Sequence, residues 1–155
     1  MRQLDVYLGE SLIGRIVENR KGGRFEYEQS IVGKLAGRPV LSMAFPAKVR
    51  PFGEAKTSAW FNGLLPEGNR RDEVCRSLGV LPYDWIGLLA EIGWECAGAV
   101  RVFEHGRERT CELRLEKISP SELAEKLSSA TERLPQVESG LFCMSLGGFQ
   151  EKMCV

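Results

Sequence analysis

The chain has 155 residues, and its 21 Lys plus Arg balance 21 Asp plus Glu to a formal charge of zero. That balance argues against a general nucleic-acid binder while leaving room for a local basic patch. The length suits one domain, or one domain and the start of another, and about 68–70% of the unfolded surface can be buried without help from a disulfide or metal.

No apolar run approaches the roughly 18 residues a membrane span requires. Acidic residues in MRQLDVYLGE occupy the place of a signal-peptide core. The expectation is a cytoplasmic protein with no membrane partner. Five cysteines (Cys75, Cys96, Cys111, Cys143, Cys154) form no CxxC pair, and the single histidine, His105, has no partner at zinc-ligand spacing. They read as buried free thiols, with no metal site expected.

In chain order, Leu4, Val6 and Leu8 alternate with Asp5 and Tyr7 as a first strand with one buried face. Gly9–Ser11 turns the chain into a second strand, Leu12–Val17. Asn19–Gly23 is a further turn, and Phe25 and Tyr27 mark a third strand, completing a meander. After the turn at Gly37-Arg38-Pro39, Val40–Phe45 predicts a short strand ended by Pro46. Lys48–Ala55 is a polar connector.

Ser58–Val80 then predicts a bent helical pair on which the strands can pack. Trp60, Phe61, Leu64 and Leu65 make one apolar face, Pro66 and Gly68 interrupt the helix, and a second helix begins near Asn69. Its Val74, Cys75 and Leu78 face inward, and Gly79 stops it. Pro82 and Asp84 open another helix, with Trp85, Leu88, Leu89 and Ile92 at i, i+3, i+4 and i+7, closed by Gly93. Ala97–Phe103 reads as a buried strand. Alternation over Cys111–Leu115 predicts a hairpin, and Ser119-Pro120-Ser121-Glu122 is a capping box for a helix running to about Ala130. Gln136–Gly140 is a linker, and Leu141–Leu146 and Lys152–Val155 read as strands around Gly147-Gly148.

That last hairpin, SLGGFQEKM, is the stretch with chemistry in it. Glycines let backbone amides approach a phosphate and form an anion-binding nest, and Lys152 adds charge beside it. Taken alone it is neither GxGxxG nor GxxxxGK[ST], and a Gly-Gly hairpin is more often only a turn. Glu67, Arg70, Arg71, Asp72 and Glu73 read as a solvated charged face. Glu91 and Glu95 are a carboxylate pair with no nucleophile or histidine nearby in sequence.

WFNGLLPEGNRRDEVCRSLGV, LLAEIGWECAGAVRVF and SLGGFQEKM occur in the order seen in HipA-like proteins, the serine/threonine kinase toxins of bacterial type II toxin–antitoxin systems. The segment Asn62–Gly68 resembles the family's NLLPEG phrase, with Gly63 inserted as a departure. Ile92-Gly93 and Ala97-Gly98-Ala99 resemble its IG…CAGA run, and Ser145–Lys152 resembles its SxxGxQ[DE]K loop. The resemblance spans nearly the whole chain.

It implies an α+β fold, a small curled antiparallel sheet on a bent helical pair, over residues 1–105. Residues 106–155 would then be a connecting hairpin and helix leading into the kinase core. By the same resemblance Gly147, Gly148, Phe149, Gln150 and Lys152 belong to a loop over the phosphates of ATP, and Ser145 is an autophosphorylation candidate. The implied partners are a helix-turn-helix antitoxin (HipB-like), with operator DNA reached through it, or the missing kinase lobe.

Phosphoryl transfer needs an aspartate to orient the hydroxyl and groups to hold Mg²⁺, and in the family these lie well beyond the loop. With the chain stopping at Val155, no catalytic or metal-binding residue is assigned. ATP and Mg²⁺ are expected only in the full-length kinase, with the chain inactive alone. Two functions compete: the N-terminal portion of a HipA-like kinase, or a stand-alone regulatory or antitoxin subunit that restrains a separate kinase. The phosphate loop favours the first.

Overall fold

The computed structural model describes residues 1–96, 98–106 and 119–130. Three strands follow one another as expected: β1 (Gln3–Leu8), β2 (Ser11–Asn19) and β3 (Gly22–Tyr27). A fourth, β4 (Val100–Glu104), returns to pair antiparallel with β1. The sheet order is β3-β2-β1-β4, so the last strand lies beside the first. Sequence reading placed a strand at 97–103 but assigned it no partner in this sheet.

The cross-strand register sorts the side chains. Leu4, Ile16 and Phe25 stand opposite one another on the inner face, as do Val6 and Val102, and all five are almost fully buried. The opposite face carries Asp5, Arg15 and Glu26 in one cross-strand row. Gly14 sits in the inner row where a Cβ would run into the Glu26 carbonyl and the Phe25 ring, so the tight crossing there needs glycine.

Helices cover the inner face. A short helix, α1 (Gln29–Leu35), follows β3. Sequence reading did not assign it, although Ile31, Val32 and Leu35 fall at i, i+1 and i+4 and pack, partly buried, against the core. The expected strand at Val40–Phe45 does not form. Proline cannot donate to a ladder, and with Pro39 and Pro46 flanking the stretch only isolated bridges form, Ala36 to Ala47 and Pro39 to Pro46. The loop is held instead by the Tyr27 hydroxyl, which donates to the Phe45 carbonyl at 2.5 Å and accepts from the Leu41 amide at 3.2 Å. That anchor drops Phe45, Ala47 and Phe52 into the core.

The next helices are α2 (Glu54–Asn62) and α3 (Gly68–Leu78). The first ends earlier than the apolar pattern suggested, so Leu64 and Leu65 lie in the turn after it, tied by their amides to the Phe61 and Asn62 carbonyls at 3.1 Å. Phe61 and Leu65 are nonetheless buried, with Trp60 and Leu64 packed at the margin. Gly79, at φ 67, gives α3 the left-handed cap expected of it. Helix α4 (Trp85–Ile92) begins with the Asp84 carboxylate accepting from the Gly87 amide, and it continues as a 3₁₀ turn over Gly93–Glu95. Trp85, Leu88, Leu89 and Ile92 are all buried, as their spacing required.

Helix α2 lies against β3 and α4 against β4, so the sheet is gripped at both edges. Six aromatic rings (Phe25, Tyr27, Phe45, Phe52, Trp60, Phe61) interlock at the β3 end, with Phe45 and Phe52 centroids 4.4 Å apart. Further along the chain, α5 (Pro120–Ala130) opens with the capping box read from sequence. The Ser119 amide donates to Glu122 Oε2 at 2.7 Å, and the Glu122 amide donates back to Ser119 Oγ at 3.3 Å.

Candidate functional site

The residues singled out for phosphate binding, Gly147, Gly148, Phe149, Gln150 and Lys152, lie outside the described residues, as does Ser145. The hairpin at Cys111–Leu115 and the strands at Leu141–Leu146 and Lys152–Val155 lie outside them too. The segment Asn62–Gly68, by contrast, is described in full.

Its geometry depends on one arginine. Arg71 Nη1 donates to Asn62 Oδ1 at 2.8 Å, and Arg71 Nε donates to the Pro82 carbonyl at 2.7 Å. One guanidinium thus ties the end of α2, the body of α3 and the approach to α4, using the planar fork that makes arginine suited to two-point contacts. The sequence placed Arg71 within a solvated charge run, and nothing local could have said otherwise. Its partners are 9 and 11 residues away, beyond the i,i+4 spacing that a helical reading can see.

Between the approach to α4 and the strand ends lies an open groove of about 450 Å³, lined by Arg2, Glu18, Leu81, Tyr83 and Trp85 among others. Arg2 Nη1 and Asp84 Oδ2 form an ion pair of 2.6 Å across it. Leu81 and Tyr83 project from its rim, 55% and 78% exposed. On the outer face of the sheet, the Asp5 carboxylate accepts from Arg15 Nε and meets His105 Nδ1, each at 2.9 Å. Arg15 Nη2 also reaches Glu28 at 3.1 Å.

Neither described cysteine is poised for chemistry. Cys75 and Cys96 are free and buried. Burial pushes the Cys96 thiol up to about 12 and raises that of Cys75 as well, so the reactive thiolate is suppressed at both. Among the described residues no group of three His, Cys, Asp or Glu is placed to hold a metal ion. No helix among them is long and apolar enough to cross a membrane. What the described arrangement offers is a domain with one packed core and shaped surfaces.

Comparison with known proteins agrees with that architecture. The HipA–HipB–operator DNA complex of the Shewanella oneidensis MR-1 toxin–antitoxin system contains a chain similar to this one, at TM-score 0.65 and 21% identity, covering 98% of this chain and 33% of that one. The protein Y4mE of Sinorhizobium fredii (strain NBRC 101917 / NGR234), named as a kinase, is 29% identical over 109 residues, which is 70% of this chain and 26% of that protein. The chain therefore spans between a quarter and a third of these relatives' length. The HipA N-terminal domain matches residues 4–103, and the chain belongs to that family.

Proposed function

We propose that the chain is the N-terminal portion of a HipA-like toxin kinase, supplying the domain that packs on the kinase core together with the loop over the phosphates of ATP. The observation that carries this reading is the match of the HipA N-terminal domain to residues 4–103, followed in order by SLGGFQEK at 145–152. On this reading residues 1–105 support the catalytic lobe. Gly147, Gly148, Phe149, Gln150 and Lys152 cradle the nucleotide phosphates through backbone amides and one ammonium. Ser145 is the residue on that loop open to autophosphorylation.

Phosphoryl transfer needs a base and Mg²⁺ ligands, and these belong to the kinase lobe rather than to the domain matched here. ATP and Mg²⁺ accordingly act in the longer protein, with the 155-residue chain inactive by itself. The partner is a HipB-like antitoxin, through which operator DNA is reached; the Shewanella HipA relative is found in a complex with HipB and operator DNA, which supports this choice of partner.

The test is incubation of the purified chain with labelled ATP, Mg²⁺ and candidate protein substrates. No label transfer is expected. In the longer protein, Ser145→Ala removes phosphate incorporation at that loop. Transfer by the 155-residue chain above a no-protein blank overturns the reading.

A further inference from the structure

Charge is unevenly distributed along this neutral chain. Residues 29–56 carry five basic side chains (Lys34, Arg38, Lys48, Arg50, Lys56) and one acid, Glu54, while the other 127 residues carry sixteen basic and twenty acidic ones. All five basic residues are exposed. The lone acid does not neutralise them, because Glu54 Oε1 is engaged by Arg24 Nε at 2.8 Å and Asn19 Nδ2 at 3.0 Å. None of the five enters an ion pair among the described residues.

The segment is an anchored surface. Gly37 donates to the Ala47 carbonyl and Ala47 donates to the Arg38 carbonyl, each at 2.8 Å, which brings the Arg38 and Lys48 stretches side by side. Lys48 Nζ lies 4.0 Å from the Phe52 ring centroid, and Lys56 Nζ lies 5.4 Å from both Phe45 and Phe52. Two ammonium groups are therefore positioned over neighbouring buried rings, where the aromatic faces hold them.

The segment carries a net excess of four positive charges, and a polyanion neutralises such an excess with release of counterions. Three of the five residues are lysine, which is depleted at protein–protein interfaces, whereas lysine and arginine are standard partners of phosphate oxygens. We propose that this lobe contacts the phosphate backbone of double-stranded nucleic acid directly, without reading its sequence. This goes beyond DNA contact through an antitoxin, and it does not depend on the kinase reading. Met43 and Val49 project from the same lobe, 85% and 84% exposed, and they are the feature that an acidic protein partner would use instead.

The experiment is fluorescence anisotropy of a labelled duplex of about 20 base pairs with the 155-residue chain. Binding is expected at about 50 mM salt, and with all five contacts made it weakens about 500-fold by about 200 mM. Arg38→Glu/Arg50→Glu, which leaves the ring contacts intact, loses at least about tenfold in affinity. Lys48→Glu/Lys56→Glu does the same. Arg20→Glu/Lys21→Glu, an equal charge change at the exposed β2–β3 turn, keeps the parent affinity, and melting curves confirm that all three variants fold. Absence of duplex binding at the lower salt overturns the proposal. So does equal loss in the Arg20/Lys21 variant, or tighter binding to a labelled poly-glutamate peptide than to the duplex.

Discussion

The Thr57 hydroxyl accepts a hydrogen bond from the Phe25 amide at 3.2 Å, so a helix side chain satisfies a backbone donor at the edge of the sheet. Phe52 reinforces the same edge, donating its amide to the Phe25 carbonyl at 2.8 Å. Both Thr57 and Phe25 are fully buried. An edge strand with open donors and acceptors invites pairing with other chains, and here α2 and its leading loop close it.

Replacing Thr57 with valine keeps the volume and strands the Phe25 amide. The expected cost is about 1–3 kcal/mol, the penalty for a buried donor left without a partner. Thr57→Ser keeps the hydroxyl and so recovers that part of the loss. Urea denaturation of both variants beside the parent checks the prediction, and a Thr57→Val midpoint equal to the parent's would mean that the hydroxyl contributes nothing.

The turn after α2 separates two adjacent leucines. Leu65 is 5% exposed, whereas Leu64 is only partly buried at the margin of the core. Leu65→Ala is expected to cost about 2–5 kcal/mol, and Phe61→Ala about 3–5 kcal/mol. Leu64→Ala costs less than either. Equal or reversed costs for the two leucines, read by chemical denaturation, would contradict the burial of Leu65.

Glu54 links acid stability to the joint between sheet and helix. Its carboxylate is held down to about 2 by its own backbone amide first, then by Asn19 and Arg24. A carboxylate depressed in the folded state contributes stability that is fully present above its unfolded pKa of about 4.3 and is lost as pH falls towards the folded value. The melting temperature of the parent should therefore drop between about pH 4.5 and pH 2 more steeply than that of Glu54→Gln. Parallel curves would show that the Asn19 and Arg24 contacts are not made in solution.

Cys75 and Cys96 should resist a thiol reagent at about pH 8, where an unperturbed cysteine is already partly thiolate. Burial raises both thiols, that of Cys96 to about 12. Peptide mapping after brief labelling is expected to show both unmodified in the native protein and both modified in denaturant. Rapid native labelling of Cys96 would place it at the surface, contrary to the packing.

Much of the domain is decided by short-range pattern. Alternation in β1, the glycine turn at Gly22, the Asp84 cap with its i, i+3, i+4, i+7 stripe and the Ser119–Glu122 capping box each work within about one turn or hairpin, and each is present. The identity of the family was legible in the same way, from ordered motifs. For the phosphate loop the sequence remains the whole of the case, because residues 145–152 lie outside those described.

What only the tertiary structure decided are the contacts between residues far apart along the chain. No local pattern pairs β4 with β1 across about a hundred residues, since that pairing depends on the helices between them folding onto one face. The stretch at Val40–Phe45 has the composition of a strand, but flanking prolines deny it a ladder and the Tyr27 hydroxyl fixes it as a loop. Thr57 and Arg71 read as an ordinary helix residue and a solvated charge. Their roles arise because hydrogen bonds need distance and angle rather than sequence proximity, and only the packed chain brings Phe25 to one and Asn62 and Pro82 to the other.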